Sequence, residues 1–369
     1  MLKIQEFIIN NKNWKEILSE KPYCIKIVED EHCYLLKYSQ IDSDFNNEIV
    51  RECRGIILYK DDFSVACHPF HKFGNYGESY VPDIDWNSAR YMEKLDGSLI
   101  KLWFNFKTDV WQWSTNGTLN AFEANLAFDE KISFGVLIMS TLSKMGINFD
   151  SMLNFDKNTT TLFELCTPLN RVVVPHSDYK LYYLMTKNNK TGVEVFNPPE
   201  GFPTPKFYSF KNLDDAVNSA KVLPFNDEGY VVVDKYFNRL KVKSPAYVAV
   251  HHLKGEGDIS KKRILDLIRL NEDQEFLNYF PEYTDFFNDI KDKYNKYINK
   301  TKADLVLFNI ELNYNEEMKT RKDKALYIVE NCINPAIMFQ LLDNKISSVQ
   351  EGIDKIPTDK LITFMEKIK

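Results

Sequence analysis

Lys94-Leu95-Asp96-Gly97-Ser98 lies within residues 91–102, a stretch whose pattern predicts a strand, a tight turn and a second strand. A lysine beside a glycine-bearing turn, between apolar segments, can be held out of bulk water and used as a nucleophile. Asp-Gly also favours a two-residue hairpin turn, which would leave Lys94 as a solvated charge at a strand edge. The segment alone is compatible with both interpretations, so the choice depends on charged residues elsewhere in the chain.

Composition limits the classes of protein to consider. The chain has 369 residues, 44% apolar and 14% aromatic, enough for the cores of two domains. Its net charge of -6 excludes a strongly basic protein that coats nucleic acid, so any such contact must come from local clusters of Lys and Arg. Six scattered cysteines without C-x-x-C spacing, and histidines without H-E-x-x-H, predict neither a disulfide framework nor a zinc site. A reducing, intracellular setting follows.

No targeting or membrane segment is predicted. Residues 1–18 mix apolar side chains with Lys and Glu, which does not fit a signal peptide. No apolar run approaches the length needed to span a membrane. We therefore expect a cytoplasmic protein with no membrane partner, acting in the host cytoplasm if the protein is viral.

Two domains are predicted from the change of pattern along the chain. Short β-like runs fill residues 34–243, interrupted by helical stretches at residues 119–145 and 213–222. Strands that do not alternate regularly with helices favour an α+β fold. After about residue 254 apolar residues recur at helical spacing, so we predict residues 1–253 as antiparallel sheets with flanking helices and residues 254–369 as an all-helical domain. The predicted strands are residues 55–59, 92–103, 110–114, 160–165, 171–174, 181–185, 230–234 and 239–243.

Arg239-Leu240-Lys241-Val242-Lys243 is the second informative segment. In a strand, alternation puts Lys241 and Lys243 on one face and the two apolar residues on the other. Two cations that point the same way repel each other unless an anion such as a triphosphate lies between them. A solvent-exposed edge strand that uses lysines to block aggregation has the same pattern.

Three more charged residues, Glu164, Glu228 and Arg54, stand at the ends of apolar strands, and Lys72 lies in His71-Lys72-Phe73-Gly74-Asn75. Glu164 and Glu228 could accept ribose hydroxyls or hold the water shell of Mg²⁺, or form salt bridges at the rim. Arg54 could grip phosphate with its bidentate fork, and Lys72 as a point charge. A lysine amine attacks only when neutral, and its ordinary pKa is about 10.4. We expect neighbouring cations and partial burial to lower the pKa of Lys94.

In order and spacing these motifs resemble the covalent nucleotidyltransferases, and in detail the bacteriophage RNA ligase 1 family. That resemblance implies an ATP-grasp-like nucleotidyltransferase fold for the first domain. The residues that carry it are Glu52-Cys53-Arg54-Gly55-Ile56, His71-Lys72-Phe73, Lys94-Leu95-Asp96-Gly97-Ser98-Leu99, Phe163-Glu164, Thr167-Pro168-Leu169-Asn170-Arg171-Val172-Val173, Glu228-Gly229-Tyr230-Val231 and Lys241-Val242-Lys243-Ser244.

The resemblance implies an ATP-dependent RNA ligase. Lys94 would carry AMP, pass it to a 5′-phosphate on RNA, and a 3′-hydroxyl would then seal the strand. Cofactors would be ATP and Mg²⁺ or Mn²⁺. The direct metal ligands stay open: Glu164 and Glu228 acting through water, with Asp273 and Glu275 as weak candidates. The residues implied to bind ATP are Tyr38, Arg54, Lys72, Gly97, Glu164, Glu228, Lys241 and Lys243.

The implied partners are RNA ends, including a nicked tRNA, and an end-healing kinase or phosphatase. The helical domain would recognise RNA or tRNA, and the lysines and tyrosines of residues 291–302 could contact it by charge and stacking. A solvated helix face has the same pattern. The sequence departs from the family at Asn116, where a lysine is expected, and at Gly74, where an aromatic residue is expected.

Two alternatives remain beside the ligase. A capping-type nucleotidyltransferase would use GTP, although such enzymes follow the lysine-valine-lysine strand with a small β-barrel rather than helices. A non-catalytic relative would bind RNA and form no covalent nucleotide adduct. The nucleotide preference and the presence of that adduct separate the three.

Overall fold

The structure, a computed structural model, describes residues 1–126, 132–254, 260–270, 273, 276–277, 280–315 and 318–366. Its internal contacts divide the chain into two units, Met1–His251 and His252–Lys369. Every strand among the described residues lies in the first unit, and the described elements of the second are helical. The predicted α+β class is therefore confirmed.

The first sheet is amino-terminal and buried on both faces. One face packs against the first three helices through Ile4, Leu18 and Val50, and the other contacts Trp103. Residues 55–59 are all buried, and because successive side chains of a strand point to opposite faces, such a run packs on both sides of the sheet. The helices are α1 (Lys3–Asn10), α2 (Trp14–Ser19) and α3 (Glu48–Glu52), and the strands, antiparallel in this order, are β1 (Ile25–Glu29), β2 (Cys33–Tyr38), β3 (Arg54–Tyr59) and β4 (Val65–Cys67).

The second and third sheets are both antiparallel. The second contains β6 (Ser98–Asn105), β7 (Val110–Thr115), β8 (Thr159–Cys166), β9 (Lys180–Asn188) and β10 (Glu194–Val195), in the order β10-β9-β8-β6-β7, with α4 (Phe134–Lys144) against it. The third contains β5 (Arg90–Glu93), β11 (Phe207–Tyr208), β12 (Gly229–Val233) and β13 (Arg239–Lys243), in the order β11-β5-β12-β13. Helix α5 (Leu213–Lys221) covers the face of the third sheet that carries Tyr230 and Leu240, which leaves the face with Val231 and Lys241 for the site.

Most predicted elements are present, and two differ. The helix predicted at residues 213–222 is α5, and Asn212 caps it by accepting a hydrogen bond from the Asp215 amide at 2.9 Å. The helix predicted at residues 119–145 is confined to a 3₁₀ turn, Ala121–Glu123, and α4, with residues 127–131 outside the described part. The strand predicted at residues 171–174 is absent, for a reason given below. Further 3₁₀ helices are Phe149–Asn154, Pro168–Asn170 and Pro281–Tyr283.

The carboxyl-terminal unit is organised around one long helix. Ile290, Tyr297 and Phe308 on that helix are buried, and Phe308 belongs to a core with Ile328 and Met338. Among the described residues, none of the helices has both the length and the apolar character that crossing a membrane requires. The described helices of the boundary and this unit are α6 (Pro245–Lys254), α7 (Lys261–Arg269), α8 (Thr284–Tyr314), α9 (Arg321–Asn331), α10 (Pro335–Leu342), α11 (Val349–Asp354) and α12 (Thr358–Met365).

Candidate active site

Lys94 stands where the chain crosses from one sheet to another. Strand β5 pairs with β11 and β12, whereas β6 pairs with β7 and β8, so the two strands that flank Lys94 do not pair with each other. The hairpin interpretation is therefore wrong. The Lys94 amide donates to the Gly229 carbonyl at 2.9 Å, which fixes its backbone beside the start of β12.

Asp96 is a buried structural hub rather than a turn residue facing solvent. Its Oδ2 accepts hydrogen bonds from the amides of Val173 and Val174, at 2.7 and 2.6 Å. Its Oδ1 accepts one from the Tyr247 hydroxyl at 2.8 Å. Because the Asp96 carboxylate takes these two amides, residues 171–174 form no strand. The aspartate thus ties together the Lys94 turn, that loop and helix α6.

Gly97 has a steric role in the same turn. A β-carbon at this position would lie 2.4 Å from the Leu165 carbonyl oxygen and 2.8 Å from Cys166 Sγ. Only glycine lets the turn approach the end of β8 so closely. The prediction that Gly97 also contacts ATP stays a prediction.

Glu228 joins two lysines in one partly buried cluster. Lys94 Nζ donates to Glu228 Oε2 at 2.7 Å, and Lys243 Nζ lies 3.2 Å from Oε1. The Glu228 side chain is 4% exposed, against 21% for Lys94 and 26% for Lys243. The Ser244 amide, directly after β13, donates to the Glu228 main-chain carbonyl at 2.9 Å, which fixes the backbone of Glu228 beside the end of that strand.

The expected fall in the pKa of Lys94 is not found. Burial acts to lower this pKa, but the carboxylates of Glu228 and Glu164 outweigh it, and the pKa is raised. Sequence reasoning weighed the neighbouring cations and overlooked that Glu228 would contact the amine. In this arrangement Lys94 is charged and held by its counter-ion.

The lysine with a depressed pKa is Lys241. Burial, followed by the charges of Lys72, Lys94, Arg54 and Lys243, lowers the pKa of Lys241 to about 6. Its Nζ lies 5.2 Å from the Phe73 ring centroid. An anion bound beside Lys241 would stabilise the protonated, positively charged form of its amine, which burial and the four neighbouring cations oppose.

Glu164 lies in β8, on the other sheet. Burial raises the pKa of Glu164 to about 7, although Lys94 and Arg54 act to lower it. The carboxyl group is therefore poised between its charged and neutral forms near neutral pH. Such a group accepts or donates a hydrogen bond to a hydroxyl-bearing ligand equally well.

The three remaining predicted residues gather at the start of β3. The Arg54 guanidinium lies 5.3 Å from the Phe73 ring centroid. Burial raises the pKa of the Tyr38 hydroxyl, and the positive charge of Arg54 opposes that rise. Lys72 Nζ lies 5.3 Å from the Tyr38 ring centroid and 4.4 Å from that of Phe45. These cations stand on an aromatic wall rather than on carboxylates.

The second and third sheets enclose a cavity that collects most of these groups. Arg54, Lys94 and Glu164 line it together with Lys241 and Lys243. Apolar side chains complete the wall, including Met92, Leu99, Leu184 and Val231. A mostly apolar cleft with a few convergent charges is the usual form of a small-molecule site.

Sequence reasoning missed one basic residue of this cavity, Arg239, and one buried lysine outside its lining, Lys101. Arg239 also lines the cavity, and the alternation that paired Lys241 with Lys243 predicts it on the same face. Lys101 is fully buried, donates to the Gly55 carbonyl, and has its pKa lowered to about 8 by burial. The apolar sequence around Lys101 gives no sign that this lysine is buried. A β-carbon on Gly55 would lie 2.8 Å from Asn116, so the Asn116 turn closes against the same backbone.

The carboxylates do not form a ready metal cage. Among the described residues no group of three or more His, Cys, Asp or Glu could hold a metal ion. Glu228 already carries two lysines, so Glu164 is the carboxylate that best fits an ion held mainly by phosphates and water. Asp273 is paired with Lys291 at 2.6 Å in the helical unit, and Glu275 lies outside the described residues.

The basic stretch at residues 291–302 lies in α8, and its tyrosines do not face solvent. Tyr294 and Tyr297 are buried, so the expectation that they stack on RNA is wrong. Lys293 pairs with Asp289 at 2.7 Å and Lys300 with Asp304 at 3.1 Å. In this stretch lysines form ion pairs within the helix and tyrosines face the core, as in an ordinary solvated helix face.

Comparison with known proteins gives a family match over the part of the chain that holds the site. A family model described as RNA ligase matches residues 52–247, more than half of the chain. A protein of Autographa californica nuclear polyhedrosis virus, named as a bifunctional polynucleotide kinase/RNA ligase, is 28% identical over 88% of this chain and 49% of its own length. An RNA ligase of Rhodothermus phage RM378 is 24% identical over 71% of this chain and 56% of its own length.

Two further relatives complete the comparison. RNA ligase 1 of Bacteriophage TS2126 is 26% identical over 42% of this chain and 39% of its own length. The chain thus spans about half the length of the curated relatives it matches. A solved structure of an archaeal ATP-dependent RNA ligase aligns with 78% of this chain and 76% of its own, at 12% identity and a TM-score of 0.45.

Proposed function

We propose that this chain, which belongs to the RNA ligase family, uses ATP to join the 5′-phosphate and 3′-hydroxyl ends of RNA through a nucleotide held on Lys94. One observation carries the proposal. Lys94 and Lys243 share the buried carboxylate of Glu228, and Lys241 lines the same cavity. Six basic residues line this cavity against two carboxylates, Glu93 and Glu164, and Glu228 contacts two of the lysines. An anionic ligand would balance the excess of basic groups.

The reaction has three steps. The Lys94 amine attacks the α-phosphorus of ATP, so that a P–N bond forms and pyrophosphate leaves. A 5′-phosphate oxygen of RNA then attacks the same phosphorus, the P–N bond breaks, and AMP is joined to the RNA end. Finally a 3′-hydroxyl loses its proton, attacks the activated RNA phosphate and displaces AMP.

Lys94 must lose a proton before it attacks. Glu228 Oε2, at 2.7 Å, is the acceptor in contact with it. Lys243 contacts the other oxygen of the same carboxylate, Oε1, at 3.2 Å. Phosphate oxygens bound by Lys243 and Lys241 draw Lys243 away from Glu228, which leaves the carboxylate to accept the proton of Lys94.

The other residues bind and orient the nucleotide. We assign Arg54, Lys72 and Tyr38 to the phosphates, because two of them are cations and all three stand together on an aromatic wall. Glu164, whose pKa is about 7, is assigned to a ribose hydroxyl. A bound Mg²⁺ would neutralise phosphate charge, held by Glu164 through water and by the phosphates themselves.

The remaining parts of the proposal concern partners. The helical unit is proposed to recognise the RNA, with a nicked tRNA as the substrate that would need such a unit. One relative's name joins a polynucleotide kinase to an RNA ligase, and we propose that this chain works after an end-healing enzyme of that kind, in the host cytoplasm. Sealing of a nicked tRNA, a nicked duplex and free single strands should be compared side by side.

Incubation with α-labelled ATP and Mg²⁺ tests the proposal. Wild-type protein and Lys211→Ala, which removes an exposed lysine of the same unit, should become labelled, and Lys94→Ala should not. Equal labelling of Lys94→Ala would contradict the proposal. Labelling by GTP in preference to ATP would indicate a capping-type enzyme, and RNA binding without any label would indicate a non-catalytic relative.

A further inference from the structure

A second cavity adjoins the one that holds Lys94. It measures about 640 Å³, against about 180 Å³ for the first. The two share Phe70, Phe73, Phe237 and Arg239, so one aromatic and cationic wall faces both. The nucleotide on Lys94 accounts for the first cavity. Of the residues that line only the second, Lys72 is assigned to the nucleotide phosphates and the rest have no assigned ligand.

The second cavity is positively charged. Lys187 and Arg239 share a single carboxylate, Glu194, at 3.3 and 2.7 Å, which leaves one positive charge in excess. Arg51 adds one positive charge and Glu48 removes one, and Lys72 is already assigned to the nucleotide phosphates, so one positive charge remains in excess. His71 does not contribute, because burial lowers its pKa to about 3. The excess charge favours an anionic ligand over a neutral one.

A rigid turn brings aromatic rings to this cavity. The buried Asp234 carboxylate accepts hydrogen bonds from the amides of Tyr236 and Asn238, both at 2.9 Å, and from the Asp85 amide at 3.0 Å. Within the turn Phe237 has φ +65°, a conformation that is unfavourable for a phenylalanine. Tyr236 is 67% exposed although it lines the cavity.

We propose that this second cavity binds the 5′-phosphorylated end of the RNA strand that receives AMP. The phosphate lies against Arg239 on the shared wall, and the first base stacks on Tyr236, since base stacking on an exposed ring is the usual device for holding a single strand. Phe237 lines both cavities, so its ring forms part of the wall between nucleotide and RNA. The inference rests on the proposed function and adds the place where its second substrate binds.

The geometry distinguishes an RNA end from the phosphates of ATP. The triphosphate of a nucleotide bound in the first cavity is short, and cations are enough to bind it. It has no use for the exposed Tyr236 ring, which lies on the far side of the shared wall. The larger cavity offers both cations and Tyr236. The 5′-phosphorylated end of an RNA strand uses both the cations and the ring. It also places its phosphate at the shared wall, which faces the cavity of Lys94.

The test separates AMP transfer from AMP loading. Protein loaded with labelled AMP is freed of ATP and mixed with a short single-stranded RNA that carries a 5′-phosphate, and release of label onto RNA is timed. Tyr236→Ala should load as wild type and transfer AMP about tenfold more slowly, with weaker RNA binding by fluorescence anisotropy. Phe106→Ala, which removes a 52% exposed ring outside both cavities, should behave as wild type throughout.

A second variant tests the charge. Thr191→Glu places a carboxylate on the wall of the second cavity at an exposed position. It should weaken binding of the 5′-phosphorylated RNA more than binding of the same RNA with a 5′-hydroxyl, and leave AMP loading unchanged. Wild-type transfer rates in both Tyr236→Ala and Thr191→Glu would overturn the inference, whereas failure of the wild-type protein to load AMP would overturn the proposed function.

Discussion

The two units of this chain use charge in opposite ways. In Met1–His251, lysines and carboxylates converge in an enclosed cleft, where the side chain of Glu228 is 4% exposed. In His252–Lys369, the pair of Lys293 and Asp289 is typical, with side chains 51% and 52% exposed. Both regions are lysine-rich, so composition does not distinguish them, but burial does.

Buried charges, as in the first unit, cost free energy of folding, whereas exposed pairs, as in the second, cost little. An exposed pair one helical turn apart contributes about 0.3–0.5 kcal/mol and needs no functional explanation. Charges removed from water are costly unless they are well paired, and perturbed groups in a cleft are concentrated at functional sites. The raised pKa of Lys94 and the lowered pKa of Lys241, in one cavity, support the first unit as the place of the proposed chemistry.

The largest expected contrast comes from removing one carboxylate in each unit. Glu228→Gln leaves Lys94 and Lys243 without their shared counter-ion, so we expect nucleotide loading to fall by about 100-fold or more and the free energy of unfolding by about 2–3 kcal/mol. Asp289→Asn in the helical unit should change unfolding by at most about 0.5 kcal/mol. Chemical denaturation and labelling measure both, and similar effects of the two variants would remove the contrast.

A smaller effect is expected from the exposed lysines of α8. Replacing Lys293, Lys296 and Lys302 together by alanine should leave nucleotide loading and stability nearly unchanged. If the helical unit recognises RNA through this face, sealing of a nicked tRNA should fall about tenfold while sealing of short single strands does not. Alanine at Lys322, Lys345 and Lys360 removes the same charge from other exposed positions of the unit, and an equal loss there would show that only total charge matters.

The smallest effect is a proton taken up on nucleotide binding. Lys241, with a pKa of about 6, is mostly neutral at pH 8, and phosphates bound beside it raise that pKa. Binding should therefore take up close to one proton per nucleotide at about pH 8, about half a proton at about pH 6, where half of the Lys241 amines are already charged, and little at about pH 5. Calorimetry with a non-reacting ATP analogue, in buffers of different ionisation enthalpy, measures it. Unchanged uptake in Lys241→Met would contradict the assignment.

Local patterns predicted much of the fold. The two-residue period of Arg239–Lys243 predicts which side chains share a face, and the β13 strand has that alternation. The α+β class and the resemblance to the bacteriophage RNA ligase 1 family are confirmed by the described sheets and by the family match. These features depend on short-range spacing and on motif order, both of which are written in the chain.

What depends on distant contacts was not predictable. Residues 171–174 have the composition of a strand, but Asp96, some 75 residues away, binds two of their amides. The pKa of Lys94 depends on Glu228, separated by 134 residues. The pairing of β5 with β12, rather than with β6, is likewise non-local. Sequence spacing cannot show which groups of opposite charge meet when the sheets pack.

The most direct measurement is the position of the nucleotide on the protein. After incubation with ATP and Mg²⁺, peptide mass spectrometry should find one AMP per chain, on the Lys94 side chain, through a bond that acid breaks and alkali spares. An AMP found on Lys241 or Lys101, with Lys94 unmodified, would contradict this account.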